Sequence, residues 1–213
     1  MKGKLITLEG TEGSGKSTLA SALAKRFEET KIPVLLTREP GDGTVGKLLR
    51  ELILHSGDLD AWTEAFLFLA DRRQHCKDII HPALEKGTYV VCDRFADSTI
   101  AYQGYGRGLP IHELKHLNEI STDSLVPDIT FLLDIEPEFG LKRVDGPDRM
   151  DSEPLEFHRR VREGFLKEAA SDPKRWRILD GRLSKEELLE KAWVIVSEFV
   201  SNPGYNARSR RGF

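Results

Sequence analysis

The chain has 213 residues, 39% hydrophobic and 31% charged, and its 32 basic and 35 acidic side chains leave a formal charge of −3. That near balance excludes a protein that coats nucleic acid, whose footprint is strongly basic, and still allows a local basic cluster around phosphate. Cys76 and Cys92 are too few for a disulfide framework, no apolar run approaches the ~20 residues of a membrane span, and no signal-peptide pattern opens the chain, so a cytoplasmic protein is expected.

Lys4 to Glu9 reads as a β-strand that stops at Gly10. Ser17 to Glu29 has helical spacing, with Leu19, Leu23 and Phe27 at steps of four. Pro33 to Thr37 reads as a second strand, and Gly46 to His55 and Thr63 to Glu85 as helices. Thr88 to Asp93 is the third strand, and Gly104-Tyr105-Gly106-Arg107-Gly108 reads as a flexible loop. Ile111 to Ser121 is a helix, Asp128 to Asp134 the fourth strand, and Pro137 to Arg143 another helix with proline in its first turn. Val144 to Ser152 is polar and carries Gly146 and Pro147, as a mobile lid would. Pro154 to Ala170 is helical, Trp176 to Leu179 is the fifth strand, and Ser184 to Val200 closes the pattern, with Ser184 and Glu187 spaced as a capping box. Strands alternating with helices predict an α/β fold in which helices cover both faces of a parallel sheet, residues 1–201 forming one domain. Residues 202–213 are Gly-, Arg- and Ser-rich without periodicity and read as a disordered basic tail.

Gly10-Thr11-Glu12-Gly13-Ser14-Gly15-Lys16-Ser17-Thr18 matches G-x-x-x-x-G-K-[ST] between a strand and a helix. Such a loop curls so that backbone N–H groups point at phosphate oxygens, and the following helix adds its positive end. Lys16 is expected to reach the β- and γ-phosphates of ATP, and the Ser17 hydroxyl to ligate Mg²⁺. No N-K-x-D base-reading segment follows, which argues against a regulatory GTPase.

Asp93-Arg94 ends the third strand, where open α/β sheets bind ligands. Asp93 can hold Mg²⁺ beside Ser17, and Arg94 can clamp a phosphate. Arg38 occupies the equivalent place after the second strand. Two arginines opposite one phosphate loop suit transfer of a phosphoryl group between two phosphates, where catalysis is positioning and charge neutralisation. The alternatives are another nucleotide kinase, a deoxynucleoside kinase using Asp93 as general base, or an ATP-dependent binding module.

The segments G-T-E-G-S-G-K-S-T, T-R-E-P-G, E-A-F-L-F-L-A-D-R, D-R-F-A-D-S-T-I-A-Y-Q-G and D-R-M-D-S-E, in this order, resemble thymidylate kinase of the bacterial type from about Lys4 to Val200. The resemblance implies a three-layer P-loop kinase fold with a five-stranded parallel sheet and short lid, Mg-ATP as donor, thymidylate (dTMP) as acceptor and a homodimer. It implies that Arg38 and Arg94, with Arg50 nearby, bind the acceptor phosphate. Phe68 would stack on the thymine ring, Arg72 would reach a base carbonyl, and Thr99 and Gln103 would complete the base edge. Tyr102 would exclude a ribose 2′-hydroxyl, Glu12 would accept from the sugar 3′-hydroxyl, and Asp93 would organise Mg²⁺. With no basic residue at Thr11 to Ser14, the resemblance implies an arginine from the lid, Arg149 first and Arg143 second. Two departures stand out: Asp42 where the family often has glycine, which would repel the acceptor phosphate unless turned away, and Phe95 where tyrosine or histidine is common.

Overall fold

The computed structural model describes residues 3–146 and 148–201; the expectation for the tail at 202–213 lies outside them. Its sheet consists of β1 (Leu5–Glu9), β2 (Val34–Arg38), β3 (Tyr89–Asp93), β4 (Ile129–Asp134) and β5 (Trp176–Asp180). All pairings are parallel and the spatial order is β2-β3-β1-β4-β5. This is the expected five-stranded, three-layer arrangement.

β1 is buried along its whole length, which is why it reads as an almost unbroken apolar run. Alternate residues feed opposite layers. Ile6 and Leu8 pack with Leu19, Leu23 and Phe27 of α1 (Lys16–Glu29) and with Leu188, Ala192 and Val196 of α9 (Lys185–Ser201). Leu5, Val90 and Cys92 point the other way, toward Cys76, Ile80 and Phe95. The two cysteines are buried and reduced, as expected. Phe95 is therefore a core residue: its ring packs away from the cleft, so the loss of a hydroxyl there removes nothing from the site.

α2 (Gly43–His55) starts three residues earlier than its apolar spacing indicated because Asp42 caps it, accepting from Gly43 N at 3.1 Å and from Thr37 Oγ1 at 2.5 Å. The unusual carboxylate is thus turned into a helix cap. The long third helix runs as α3 (Ala61–His75), a π-helical turn (Cys76–Ile80) and α4 (His81–Glu85). The Ser184–Glu187 capping box forms in both directions.

The flexible loop expected at 104–108 is mostly helix. α5 (Ala96–Thr99) continues as a π-helical segment, Ile100–Gly106, ahead of α6 (Ile111–Thr122). The glycines permit close packing here: a Cβ on Gly106 would stand 2.7 Å from the Phe157 ring of α8 (Leu155–Ser171). Composition alone reads Gly-x-Gly as a turn, and only the neighbouring helix reveals the contact. α7 (Pro137–Gly140) and a 3₁₀ turn (Leu141–Arg143) lead into the lid. Among the described residues no helix is long and apolar enough to cross a membrane.

Candidate active site

The loop Gly10–Gly15 runs between β1 and α1, and its curl requires glycine: Gly13 has φ +65°, and a Cβ there would meet Gly140 O at 1.9 Å. No side chain caps the N-terminus of α1, so its first N–H groups face the cradle. Lys16 Nζ donates to Thr11 O at 2.7 Å and to Ser14 Oγ at 3.3 Å. Burial, reinforced by Arg94, lowers its pKa to about 8 against the pull of Asp93 and Glu12. Ser17 Oγ donates to Asp93 Oδ2 at 2.5 Å, while Asp93 Oδ1 is buried with no partner. One hydroxyl and one carboxylate with an orphaned oxygen form a hard donor set that fits Mg²⁺. No cluster of three or more His, Cys, Asp or Glu among the described residues could hold a metal alone, so such a cation would take further oxygens from phosphate and water.

Beside Gly13, Ser14, Gly15 and Thr18 lies a groove bounded by Arg143 and by Ser184 and Lys185 at the start of α9. Arg143 Nη1 donates to Gly181 O at 2.9 Å, the backbone-carbonyl contact of a residue at a helix end. No local spacing marks this groove, because its outer wall lies some 170 residues beyond the loop.

Across Lys16 a second cleft opens, lined by Glu12, Arg38, Arg50, Phe68, Arg94 and Tyr102. Three cations converge on it. Arg94, in a left-handed conformation (φ 68°) just after β3, donates to Gly10 O at 3.1 Å and Glu12 Oε1 at 2.9 Å and lies over the Tyr102 ring. Arg38 is exposed at the end of β2 and makes no hydrogen bond or ion pair with the described residues. Arg50 donates to Pro40 O at 2.9 Å; burial, then the charge of Arg38, lowers its pKa. Cations that repel one another at a pocket mouth form a preorganised anion site.

Phe68, Thr99, Tyr102 and Gln103 line this cleft, with Met150 closing one side. Arg72 does not. It is 1% exposed, and four of its five N–H groups are spent on Glu39, Thr99, Asn118 and Phe95 O. One N–H remains for a ligand, and the remainder fasten β2, α5 and α6 together. Helical spacing put Phe68 and Arg72 on one face but could not show how far behind the wall Arg72 lies.

Two buried carboxylates organise the cleft. Glu12 accepts from Arg94, from Tyr102 Oη at 2.5 Å and from His158 Nδ1 at 3.2 Å. Burial alone would raise its pKa; His158, Arg94 and Lys16 overcome that and hold it at about 2. Glu64 takes Gln103 Nε2 at 2.8 Å, Arg107 at 3.0 Å and Arg149 Nη1 at 2.7 Å, and these overcome burial to lower its pKa. Arg149, the favoured lid arginine, is thus bound on the acceptor side, also donating to Ile53 O at 2.9 Å, while its Nη2 is buried without a partner. Arg143 stands on the donor side. The half of the lid at 148–152 is pinned to α2 and α3 rather than free. His158, Glu64 and Arg107 escaped the sequence reading; the one available hint was a histidine on the apolar face Phe157, Val161, Phe165 of α8.

Comparison with known proteins agrees with this architecture. The family model described as "Thymidylate kinase" matches residues 8–192. The chain is 49% identical over 192 residues to a thymidylate kinase of Carboxydothermus hydrogenoformans, covering 88% of this chain and 94% of the relative. It is 47% identical over 199 residues to one from Thermomicrobium roseum, covering 92% and 95%. A crystal structure of thymidylate kinase from Ehrlichia chaffeensis superposes with a TM-score of 0.77 at 34% identity, covering 92% of this chain and 99% of that one.

Proposed function

The chain belongs to the thymidylate kinase family and phosphorylates thymidylate with ATP, and from that premise we propose how its residues divide the work. A phosphate oxygen of thymidylate attacks the γ-phosphorus of ATP, the bond from that phosphorus to the β–γ bridging oxygen breaks, and ADP leaves. The backbone of Gly10 to Gly15 and the N-terminus of α1, with Thr18, hold the donor phosphates. Lys16 leaves Thr11 O and Ser14 Oγ for the β- and γ-phosphates, whose charge restores its proton affinity. Mg²⁺, held by Ser17 and the orphaned oxygen of Asp93, would neutralise the phosphates and align them for in-line transfer.

Arg94, Arg38 and Arg50 receive the acceptor phosphate, Arg94 closest to the transfer because it already contacts the loop at Gly10. Phe68 stacks on the thymine, Thr99 and Gln103 contact its edge, and Arg72, expected at a base carbonyl, instead holds Thr99 from behind the wall. Tyr102 closes the space at the sugar 2′ position and Glu12 accepts the 3′-hydroxyl. Arg149 exchanges Glu64 for the transferring phosphoryl group as the lid closes, a role supported by its unpartnered Nη2, while Arg143 serves the ATP groove. The single observation that carries this reading is the placement of Lys16 between an uncapped helix N-terminus and a three-arginine cleft. Such an enzyme works in the cytoplasm as a homodimer; exposed Phe66, beside half-buried Trp62 and Leu117, supplies an apolar face for a second copy.

The test supplies Mg-ATP with thymidylate, deoxyuridylate, uridylate, adenylate or thymidine and follows ADP release and product. Fast, thymidylate-dependent formation of thymidine diphosphate is expected. Preference for another monophosphate overturns the base pocket at Phe68 and Gln103, and turnover of thymidine overturns the role of the arginines.

A further inference from the structure

α8 buries a histidine that neither the donor cradle nor the base pocket accounts for. His158 is fully buried, and its ring meets that of Phe157 edge-on with centroids 5.5 Å apart. Its Nδ1 lies 3.2 Å from Glu12 Oε2, although 146 positions separate them in sequence. Glu12 is ionised and can only accept, so Nδ1 carries the proton of this contact. Nε2 is buried with no hydrogen-bond partner. Asp151 of the lid also faces the ring, but the ring's side-chain hydrogen bond goes to a phosphate-loop carboxylate.

We propose that His158 is a positioning residue for phosphoryl transfer, fixing the Glu12 carboxylate so that it receives the sugar of the acceptor nucleotide. A carboxylate has about four lone-pair directions. Three are occupied, two on Oε1 by Arg94 and Tyr102 and one on Oε2 by His158. That leaves one for a substrate hydroxyl, in a fixed direction. Without His158 the carboxylate is held at Oε1 alone and can swivel about that end, taking the free lone pair off the hydroxyl. α8 begins directly after the lid segment, so the helix that anchors the lid also sets the sugar contact. The inference rests on the reading that Glu12 accepts the 3′-hydroxyl.

The experiment compares His158→Leu and His158→Asn by steady-state kinetics, with thymidylate and with 3′-deoxythymidylate at saturating Mg-ATP. Leucine fills the space without a donor, whereas the asparagine Nδ2 can stand where Nδ1 stood. His158→Leu is expected to raise KM for thymidylate about tenfold, the loss of a hydrogen bond to a charged acceptor, with kcat and KM for ATP within about threefold of the parent. His158→Asn recovers most of that KM. The parent enzyme discriminates against 3′-deoxythymidylate, and His158→Leu does not. A His158→Leu enzyme with unchanged KM, or one whose kcat and both KM values deteriorate together, overturns the inference while leaving the Glu12 reading intact if the parent still discriminates. A parent that accepts both nucleotides equally removes the Glu12 reading itself, and the inference with it. Should His158→Leu fail to fold, the imidazole nitrogen-15 resonances of the parent decide. The Nδ1 signal is expected to move with thymidylate and not with its 3′-deoxy analogue, and a signal indifferent to both overturns the proposal.

Discussion

The two halves of the cleft are built on opposite principles. The proposed donor cradle is contiguous: nine residues, Gly10 to Thr18, shaped by glycine backbone geometry. The acceptor cleft draws on the phosphate loop, the end of β2, α2, α3, α5 with its π-helical extension, and the lid, and its chemistry lies in side chains. Backbone groups need only the right dihedral angles, whereas Arg94, Arg72 and Arg149 are each aimed by a second buried group. Glu12 aims Arg94, Glu39 and Asn118 lock Arg72, and Glu64 holds Arg107 and Arg149. A contiguous site is stabilised by its own fold, and a scattered one by a shell of partners.

The contrast breaks most visibly at Lys16, the charge shared by both halves. Lys16→Ala is expected to lower kcat about a thousandfold while thymidylate binding, followed calorimetrically, changes little. Within the acceptor half, Arg94→Ala should lower kcat/KM about a hundredfold because Arg94 is tied to the phosphate loop at Gly10 and Glu12, and exposed Arg38→Ala about tenfold. Equal effects would mean that the partner shell does not rank the clamps. The lid arginines divide the halves in a third test: Arg143→Ala raises KM for ATP about tenfold, and Arg149→Ala lowers kcat by a similar factor. The reverse pattern would exchange their roles.

The smallest effect concerns the cost of the shell itself. Burial, with Glu39 adding to it, raises the Asp71 pKa from 3.8 to about 7, and Asp71 Oδ1 accepts from Gly41 N at 3.2 Å. A carboxylate whose pKa is raised on folding destabilises the native state increasingly as pH climbs from its unfolded to its folded value. Asp71→Asn, which keeps the acceptor oxygen and removes the titration, should therefore stabilise the protein by about 1 kcal/mol at pH 8 and by less at pH 5, read from denaturant unfolding.

The phosphate loop, the five strands and the placement of Arg38 and Arg94 at neighbouring strand ends were legible in the chain because each depends on local periodicity or a short spacing. Phe68, Thr99, Tyr102 and Gln103 were legible through family resemblance and do line the cleft. What the sequence could not decide is which charges meet. Asp42 became a helix cap, Phe95 a core residue, and Arg72 a buried clasp, each through neighbours distant in sequence. The helix through Gly104 and Gly106 was hidden because its glycines answer to side chains of α6 and α8. His158 reaches Glu12 across the packing of α8 on the π-helical segment, and Arg149 reaches Glu64 because the lid lies against α2 and α3. Local dihedral preference and hydrophobic period act over a few residues and can be read along the chain; the pairing of buried charges follows from which elements pack together, and that is settled only in the folded tertiary structure.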